Sequence, residues 1–302
     1  MFIGRILEQA YRGMPVIREV RALSHKMRRI ENELRALNQT LTRSCALMLQ
    51  AQLAQHPRYG DPKRLMRYCT PTFSQNGEDG AIAEILRRTG TVSRQFLEIG
   101  VGNGLENNTA LLLAQGWRGW WIEGDQRAAD EIKVTFREHL ASGQLTLINR
   151  MVTAENIVEL LTEAGVPAEF DVLSIDIDRN TYWVWAALGQ FRPQISVIEY
   201  NAFFPPNVDW KVEYSPELTW DGSIYFGASL KALEMLGRTL GYSLVGCEPM
   251  GVNAFFVRDD LLADHFVAPF TAENHYEPAR HSHMARMAVP ACFDYSTRRR
   301  QI

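Results

Sequence analysis

Cysteine and long apolar runs are both scarce in this 302-residue sequence. Its four cysteines, Cys45, Cys69, Cys247 and Cys292, are widely scattered, and no two form a Cys-x-x-Cys pair. This pattern indicates neither a zinc knuckle nor a disulfide framework, so we expect reduced thiols in a cytoplasmic protein. No run of about 18 apolar residues exists, so no membrane span is predicted. The first residues also lack the apolar segment and small-residue cleavage site of a secretory signal.

Glycine and proline are absent from residues 16–50, so one helix can run through this region. Its apolar residues recur at alternating steps of four and three: Val16, Val20, Leu23, Met27, Ile30, Leu34, Leu37 and Leu41. This is a heptad repeat with Val20, Met27, Leu34 and Leu41 at position a, and it predicts a coiled coil. We therefore expect a homo-oligomer through residues 15–50, with the number of strands open. The alternative is one amphipathic helix packed on its own domain.

Charge is unevenly distributed along the chain. Residues 1–45 contain nine basic and four acidic side chains, although the whole chain has a net charge of −3. A short basic amphipathic segment, Met1–Tyr11, could make a weak peripheral contact with an anionic membrane surface, although a solvated helix end is the favoured alternative. Within the heptads, Lys26 at position g precedes Glu31 at position e, an attractive pairing in a parallel dimer.

No nucleic-acid partner is expected.

A proline- and glycine-containing linker, His56–Pro62, divides the chain. We place an N-terminal helical segment at residues 1–56 and a second domain at residues 57–302. In the second part, short apolar runs alternate with helical patterns, including those at residues 126–140, 154–165 and 227–240, and this predicts an α/β fold with a parallel sheet. Two final strands, Tyr242–Glu248 and Val252–Arg258, are joined by a turn and predict a terminal antiparallel hairpin.

A glycine-rich turn, Phe96 to Thr109, follows the first apolar run. Strand, glycine turn and helix are how an open α/β sheet forms a nucleotide site, because glycine lets the backbone approach a ligand. The dinucleotide fingerprint requires a further glycine where this chain has Leu105, so a nicotinamide cofactor is disfavoured. The spacing Glu-x-Gly-x-Gly-x-Gly from Glu98 resembles the first motif of class I S-adenosylmethionine-dependent methyltransferases. An acid before the glycines also suits a cationic amino-acid group better than a pyrophosphate.

Glu123 and the polar loop Ser74–Gly80 also support S-adenosylmethionine as the cofactor. Glu123 ends the second predicted strand, where a carboxylate can accept hydrogen bonds from ribose hydroxyls. The loop Ser74–Gly80 is dense in polar residues and could cover the methionine end of the cofactor. The alternative for Glu123 is a solvated acid at the end of a strand. The alternative for the loop is that its polar residues cap the following helix. The candidate cofactor-binding residues are Gln75, Glu78, Glu98, Gly100, Gly102, Gly104, Asn108, Glu123 and Asp176.

Oxygen-bearing side chains follow the fourth and fifth predicted strands. Adjacent strands lie about 5 Å apart, so these side chains could converge. Hard oxygen ligands suit Mg²⁺ or Mn²⁺, with Asp176, Glu199 and Asn201 as candidate ligands. A carboxylate could instead act as a base, or simply hydrogen-bond cofactor, substrate or neighbouring loops. The candidate catalytic residues are Asp176, Asp178 and Glu199.

An aromatic loop, residues 201–226, follows the fifth strand and should lie over the carboxyl ends of the sheet. Its candidate substrate-binding residues are Trp210, Trp220, Asp221 and Tyr225. Their rings could stack on a sugar or could pack within the loop. Beyond it, four histidines, His265, His275, His281 and His283, could include a general base, although any one of them is more often solvent-exposed.

Several ordered motifs together resemble the FkbM-type methyltransferase superfamily, mostly its uncharacterised bacterial members. They are Ser74–Gly80, Phe96–Thr109, Gly116–Glu123, Leu173–Asn180, Ile198–Asn201, Trp220–Ser229 and Gly251–Arg258. The resemblance implies a seven-stranded class I methyltransferase fold, S-adenosylmethionine as cofactor, and O-methylation of a sugar, glycan or related small molecule. Arg179 departs from the pattern, because relatives usually have glycine there. Two other functions remain open: a non-catalytic coiled-coil scaffold and an NAD(P)-dependent oxidoreductase.

Overall fold

The computed structural model describes residues 15–280, without some side chains of the N-terminal helix. The predicted membrane contact of the N-terminus and the histidines at 281 and 283 lie outside these residues. Helix α1, Pro15–Leu53, is 39 residues long. The chain divides into two units after Cys45, within this helix rather than at the predicted linker. No helix among the described residues is long and apolar enough to cross a membrane.

The second unit contains one seven-stranded sheet in the order β3-β2-β1-β4-β5-β7-β6. Its strands are β1 Gln95–Ile99, β2 Arg118–Glu123, β3 Leu145–Asn149, β4 Val172–Ile175, β5 Ile195–Glu199, β6 Tyr242–Cys247 and β7 Asn253–Arg258. Strands β1 to β5 are parallel, whereas β7 is antiparallel to both β5 and β6. This confirms the predicted Rossmann-like α/β sheet with its antiparallel end.

Helices connect the strands and pack on both faces of the sheet. They are α2 Glu78–Thr89, α3 Ala110–Ala114, α4 Gln126–Thr135, α5 Arg137–Ala141, α6 Ile157–Glu163, α7 Thr181–Ala187, α8 Leu230–Leu240 and α9 Ala272–His275. The helix predicted at residues 126–140 is divided at Phe136. The ring of Phe136 packs edge-on against Trp121, with their centroids 4.8 Å apart.

The sheet is apolar on both faces, as expected for parallel strands covered by helices. Phe96 and Leu97 are neighbours in β1, and both are fully buried, but they belong to different core clusters. The parallel strands all present their carboxyl ends at one edge of the sheet. Residues that directly follow β1, β2, β4 and β5 therefore meet at that edge, where open α/β sheets bind ligands.

Candidate functional site

A cavity of about 600 Å³ lies at the carboxyl ends of β1, β2 and β4. It is lined by residues from seven separate segments, which include the glycine turn and the aromatic loop. Eight of the nine predicted cofactor residues line it: Gln75, Glu78, Glu98, Gly100, Gly102, Asn108, Glu123 and Asp176. Gly104 does not. Its φ is +80°, and a Cβ there would come within 2.8 Å of the rings of Phe136 and Trp121, so this glycine lets the turn pack on the core.

The first two glycines of the turn open the cavity. Gly100 has φ +83°, and a Cβ there would lie 1.8 Å from the carbonyl oxygen of Asp176. Only glycine therefore lets the ends of β1 and β4 approach this closely. Gly102 has φ +55°, with no atom within 4 Å of the place where a Cβ would stand. The backbone of the turn thus remains accessible to a ligand.

Glu123 connects β2 to the glycine turn. Its carboxylate accepts hydrogen bonds of 2.7 Å from the N–H of Gly102 and 2.7 Å from the N–H of Asp125. These bonds hold both oxygens at the cavity wall. A carboxylate has about four acceptor positions, so two remain for hydroxyl groups of a ligand.

Glu98 is buried beneath the segment that leads into α3. Its two oxygens accept hydrogen bonds from the side chain of Asn107, the N–H of Asn108, and the N–H and hydroxyl of Thr109. Burial raises the pKa of Glu98, and these bonds oppose the rise. The Asn108 side chain in turn donates to Ser174 Oγ at 3.0 Å. Glu98 therefore positions the wall of the cavity as well as contributing charge to it.

The loop before α2 forms the opposite wall. Gln75 is exposed there, whereas Glu78 is buried and accepts the N–H of Asn76 at 3.0 Å. Glu78 also accepts Asn253 Nδ2 at 2.9 Å. Asn253 lines the cavity, is 3% exposed, and its Oδ1 has no hydrogen-bond partner among the described residues. Sequence reasoning missed this residue; the only signal was one polar side chain at the start of an apolar strand.

Three carboxylates converge beside the cavity, as predicted for the strand ends. One oxygen from each of Asp176, Asp178 and Glu199 lies within 4.8 Å of the others. Burial and the neighbouring charge of Asp178 raise the pKa of Asp176 to about 7, and burial raises that of Glu199 well above its ordinary value. Asp178 has φ +57°, an uncommon conformation for a residue with a side chain. Within residues 15–280 no lysine or arginine forms an ion pair with the three acids.

Asn201, a predicted metal ligand, makes its hydrogen bonds to the aromatic loop. Its Nδ2 donates to the carbonyl oxygens of Ile224 and Phe226, both at 2.9 Å, and its Oδ1 accepts the N–H of Phe203 at 3.1 Å. The side chain is fully buried. Asn201 therefore holds the aromatic loop, and the third oxygen group of the cluster comes from Asp178.

The aromatic loop brings Trp220 to the cavity, with Pro216, Leu218 and Thr219. The other predicted substrate residues do not line it. Trp210 stacks on Phe204 with ring centroids 4.1 Å apart and meets the edge of Tyr225 at 5.4 Å. The rings of Trp210 and Tyr225 therefore pack inside the loop. This was the alternative to stacking on a sugar. Asp221 accepts the N–H of Ser223 at 3.0 Å in an exposed turn.

Side chains from the turn between β4 and α7 hold the first arm of this loop. Arg179 lies over the ring of Tyr225 at 5.5 Å and donates to the carbonyl oxygen of Glu213 at 3.3 Å. Asn180 donates to the carbonyl of Ser215 at 2.9 Å. The residue that departs from the family pattern is therefore an anchor for the loop.

The two described C-terminal histidines do not line the cavity. His265 is exposed, whereas His275 is buried with its Nε2 3.1 Å from the carbonyl oxygen of Val267. Burial lowers the pKa of His275 to about 3. The geometry gives neither histidine a place at the cavity as a general base.

No protein-family model and no curated protein matches the sequence. In structure, the chain is similar to an S-adenosylmethionine-dependent methyltransferase from Clostridium acetobutylicum ATCC 824, at 14% identity over 59% of this chain and 89% of that chain, with a TM-score of 0.37. It is also similar to the N-terminal domain of EvdMO1, solved with SAH and D-fucose, at 14% identity over 60% and 80% of the two chains, TM-score 0.39. A third is the glycopeptide N-methyltransferase MtfA complexed with S-adenosyl-L-methionine, at 14% identity over 59% and 86%, TM-score 0.35. Because these TM-scores are low, the fold and the site rest on the geometry described above.

Proposed function

We propose that the protein transfers a methyl group from S-adenosylmethionine to a hydroxyl group of a sugar, glycan or related natural product. One observation carries the proposal: the glycine turn and the Glu123 carboxylate line a cavity that Asp176 and Asp178 also line, and Glu199 converges with these two acids. The wall offers a ribose acceptor and open backbone, and the acids offer a means to activate a hydroxyl. The resemblance of the sequence motifs to FkbM-type methyltransferases supports the same reaction.

The charge of the cavity favours this cofactor over a dinucleotide. Arg150 is its one basic lining residue among those described, against seven acids: Glu78, Glu98, Glu106, Glu123, Asp125, Asp176 and Asp178. A negative cavity attracts a ligand that carries sulfonium and ammonium charges and repels a pyrophosphate. The unpartnered oxygens of Asn253 and Asn107 provide acceptors for ligand donors. The residues present therefore fit S-adenosylmethionine, which supplies an electrophilic methyl group when bound.

The three acids could activate the acceptor hydroxyl in two ways. The methyl group is displaced in line, so the protein must align the acceptor hydroxyl and reduce its affinity for its proton. Asp176, Asp178 and Glu199 form a partly buried cluster of acids that fits Mg²⁺ or Mn²⁺, because several carboxylates close together require a compensating cation or proton. A cation held there would polarise the hydroxyl. Without one, Asp176 would take the hydroxyl proton, because it lines the cavity and its pKa, raised to about 7, lies near the operating pH of a general base.

The acceptor would enter under residues 216–220 of the aromatic loop, where Trp220 is 41% exposed. A half-exposed indole on a cavity wall can stack on the apolar face of a sugar ring. This placement supports a sugar-like acceptor.

The proposal is tested first by calorimetry with S-adenosylmethionine and, separately, NAD. Binding of the first and not the second is expected, and the reverse result would favour an oxidoreductase. Small molecules and glycans from cells lacking the gene are then incubated with enzyme and methyl-labelled S-adenosylmethionine. A product that has gained one labelled methyl group in place of a hydrogen, found by mass spectrometry, is expected. Cofactor binding without turnover on any acceptor fraction would instead favour the non-catalytic scaffold.

A further inference from the structure

Helix α1 carries a stripe of exposed apolar side chains at heptad spacing. We call it the heptad stripe; it consists of Val20, Leu23, Met27, Ile30, Leu34, Leu37 and Leu41. Each of these side chains is between 55% and 63% exposed. A single exposed leucine is ordinary, but seven large apolar side chains on one helix face form a contiguous patch of the kind that marks an interaction surface.

The width of the heptad stripe indicates which kind of partner covers it. Two positions in seven are apolar, and the flanking e and g positions carry polar side chains such as Lys26, Glu33 and Thr40. Helices that pack on a globular core or lie in a membrane surface have a wider apolar face. A narrow stripe with a period of 3.5 residues stays in contact only with another helix that coils around it. From Val20 to Leu41 this contact would extend for about 32 Å.

We propose that the partner is a second copy of this chain, in a parallel, in-register two-stranded coiled coil. A repeat that continues without interruption is complementary to itself, so each a or d side chain meets its own equivalent. Two strands fit because a third or fourth helix would bury the flanks that carry Lys26 and Glu33. The inference is independent of the proposed methyl transfer.

Charge at the flanks selects the parallel orientation. In a parallel dimer, Lys26 at g faces Glu31 at e of the second copy, and this attraction occurs twice. In an antiparallel pair with the stripes in full overlap, Glu33 faces Glu33 of the second copy and Glu31 faces Glu31. Like charges at these positions destabilise the pair.

The stoichiometry is tested on the full chain by light scattering at micromolar concentration. The chain mass is 34.4 kDa, and the proposal expects twice that value. Leu34→Glu, which places a charge at the centre of the stripe, should give a monomer. Ala36→Glu makes the same charge change on the outer face of the helix and should leave the dimer intact. A wild-type mass of one chain, or of three or more, overturns the proposal.

The orientation is tested by cross-linking. Ser44 continues the d positions, so Ser44→Cys in a Cys45→Ser background meets its own equivalent only in a parallel, in-register pair. Mild oxidation should then give a covalent dimer on a non-reducing gel, whereas Cys45→Ser alone should not. A light-scattering dimer that fails to cross-link would be antiparallel or out of register, contrary to the proposal. Unchanged circular dichroism in each variant confirms that the helix has formed.

Discussion

Glu123 uses one carboxylate for two tasks. It holds the N–H groups of Gly102 and Asp125, and it faces the cavity where ribose hydroxyls are expected. The same acid therefore shapes the turn and provides part of its ligand contacts. Its removal should affect the binding of any adenosine-containing ligand more than the stability of the sheet, because Glu123 is the last residue of β2 and its carboxylate bonds to Gly102 and Asp125 rather than to another strand.

Glu123→Ala should weaken S-adenosylmethionine binding by roughly 1–3 kcal/mol, the usual loss when charge-assisted hydrogen bonds are removed. This corresponds to about five-fold to more than one-hundred-fold in Kd, measured by calorimetry. Glu138→Ala is the control, because its side chain is 85% exposed on α5 and outside the cavity. An unchanged Kd in a folded Glu123 variant would contradict the assignment.

Asn253 is a second residue whose substitution has a predicted effect on ligand binding. Its Nδ2 is fixed by Glu78, so its unpartnered Oδ1 is held in a defined direction at the cavity wall. Asn253→Ala should weaken S-adenosylhomocysteine, whose ammonium is a strong donor, by several-fold. It should leave 5′-methylthioadenosine, which lacks the amino-acid group, unaffected. Equal losses for both ligands would show that Asn253 only supports the fold of the cavity.

The acid cluster predicts a dependence on divalent cations. Methyl transfer should fall on exhaustive chelation and return with Mg²⁺ or Mn²⁺, because the cation would offset the buried charge of Asp176, Asp178 and Glu199. Asp176→Asn should abolish turnover, measured as S-adenosylhomocysteine released, while calorimetry still detects cofactor binding. If fully chelated wild-type enzyme retains its rate, the cation is unnecessary, and Asp176 becomes the candidate base.

At the scale of elements, the aromatic loop consists of two arms that side-chain hydrogen bonds hold in place and a tip that is exposed. Asn201, Arg179 and Asn180 hold its arms through side-chain bonds to backbone carbonyls. Its tip, residues 216–222, is exposed and reaches over the cavity through Trp220. Fixed arms and an exposed tip suit a segment that closes over an acceptor.

Trp220→Ala should raise KM for the acceptor and leave the cofactor Kd unchanged. A stacked ring contributes roughly 0.5–1.5 kcal/mol, so the increase should be about two- to ten-fold. Trp220→Phe keeps an aromatic face and should restore most of the affinity in steady-state assays. A parallel loss of cofactor binding in the alanine variant would mean that Trp220 supports the cofactor instead.

At the scale of the whole molecule, His275 is a buried histidine near the C-terminal end of the described residues. It is packed near Arg64 and Arg58, which bond to the carbonyl oxygen of Asn274. Its position, buried and close to positive charges, favours the neutral imidazole. The folded protein therefore takes up this proton only near pH 3, whereas the unfolded chain binds it near the ordinary histidine pKa of about 6.5.

This difference predicts a loss of stability as the pH falls. The contribution of His275 is fully present above about pH 6.5 and decreases toward pH 3, by about 1.4 kcal/mol per pH unit once the unfolded histidine is protonated. Urea unfolding at pH 7.5 and pH 5 should show a smaller pH effect in His275→Gln than in wild type. His265→Gln, at an exposed histidine, should retain the wild-type pH effect. Equal slopes in all three proteins would contradict the prediction.

The sequence by itself determined the sheet, the heptad stripe and the cavity edge. Local periodicity separates strands from helices, and parallel strands must end at one edge, so Glu123, Asp176 and Glu199 were predictable as neighbours. Tertiary structure decided which polar atoms and rings face the cavity. Asn201 turns to the loop and Trp210 stacks on Phe204, because backbone groups and apolar surface nearby needed partners. Asn253 joins the site because β7 inserts antiparallel between β5 and β6 and pairs it with Glu199, a contact that no local pattern specifies.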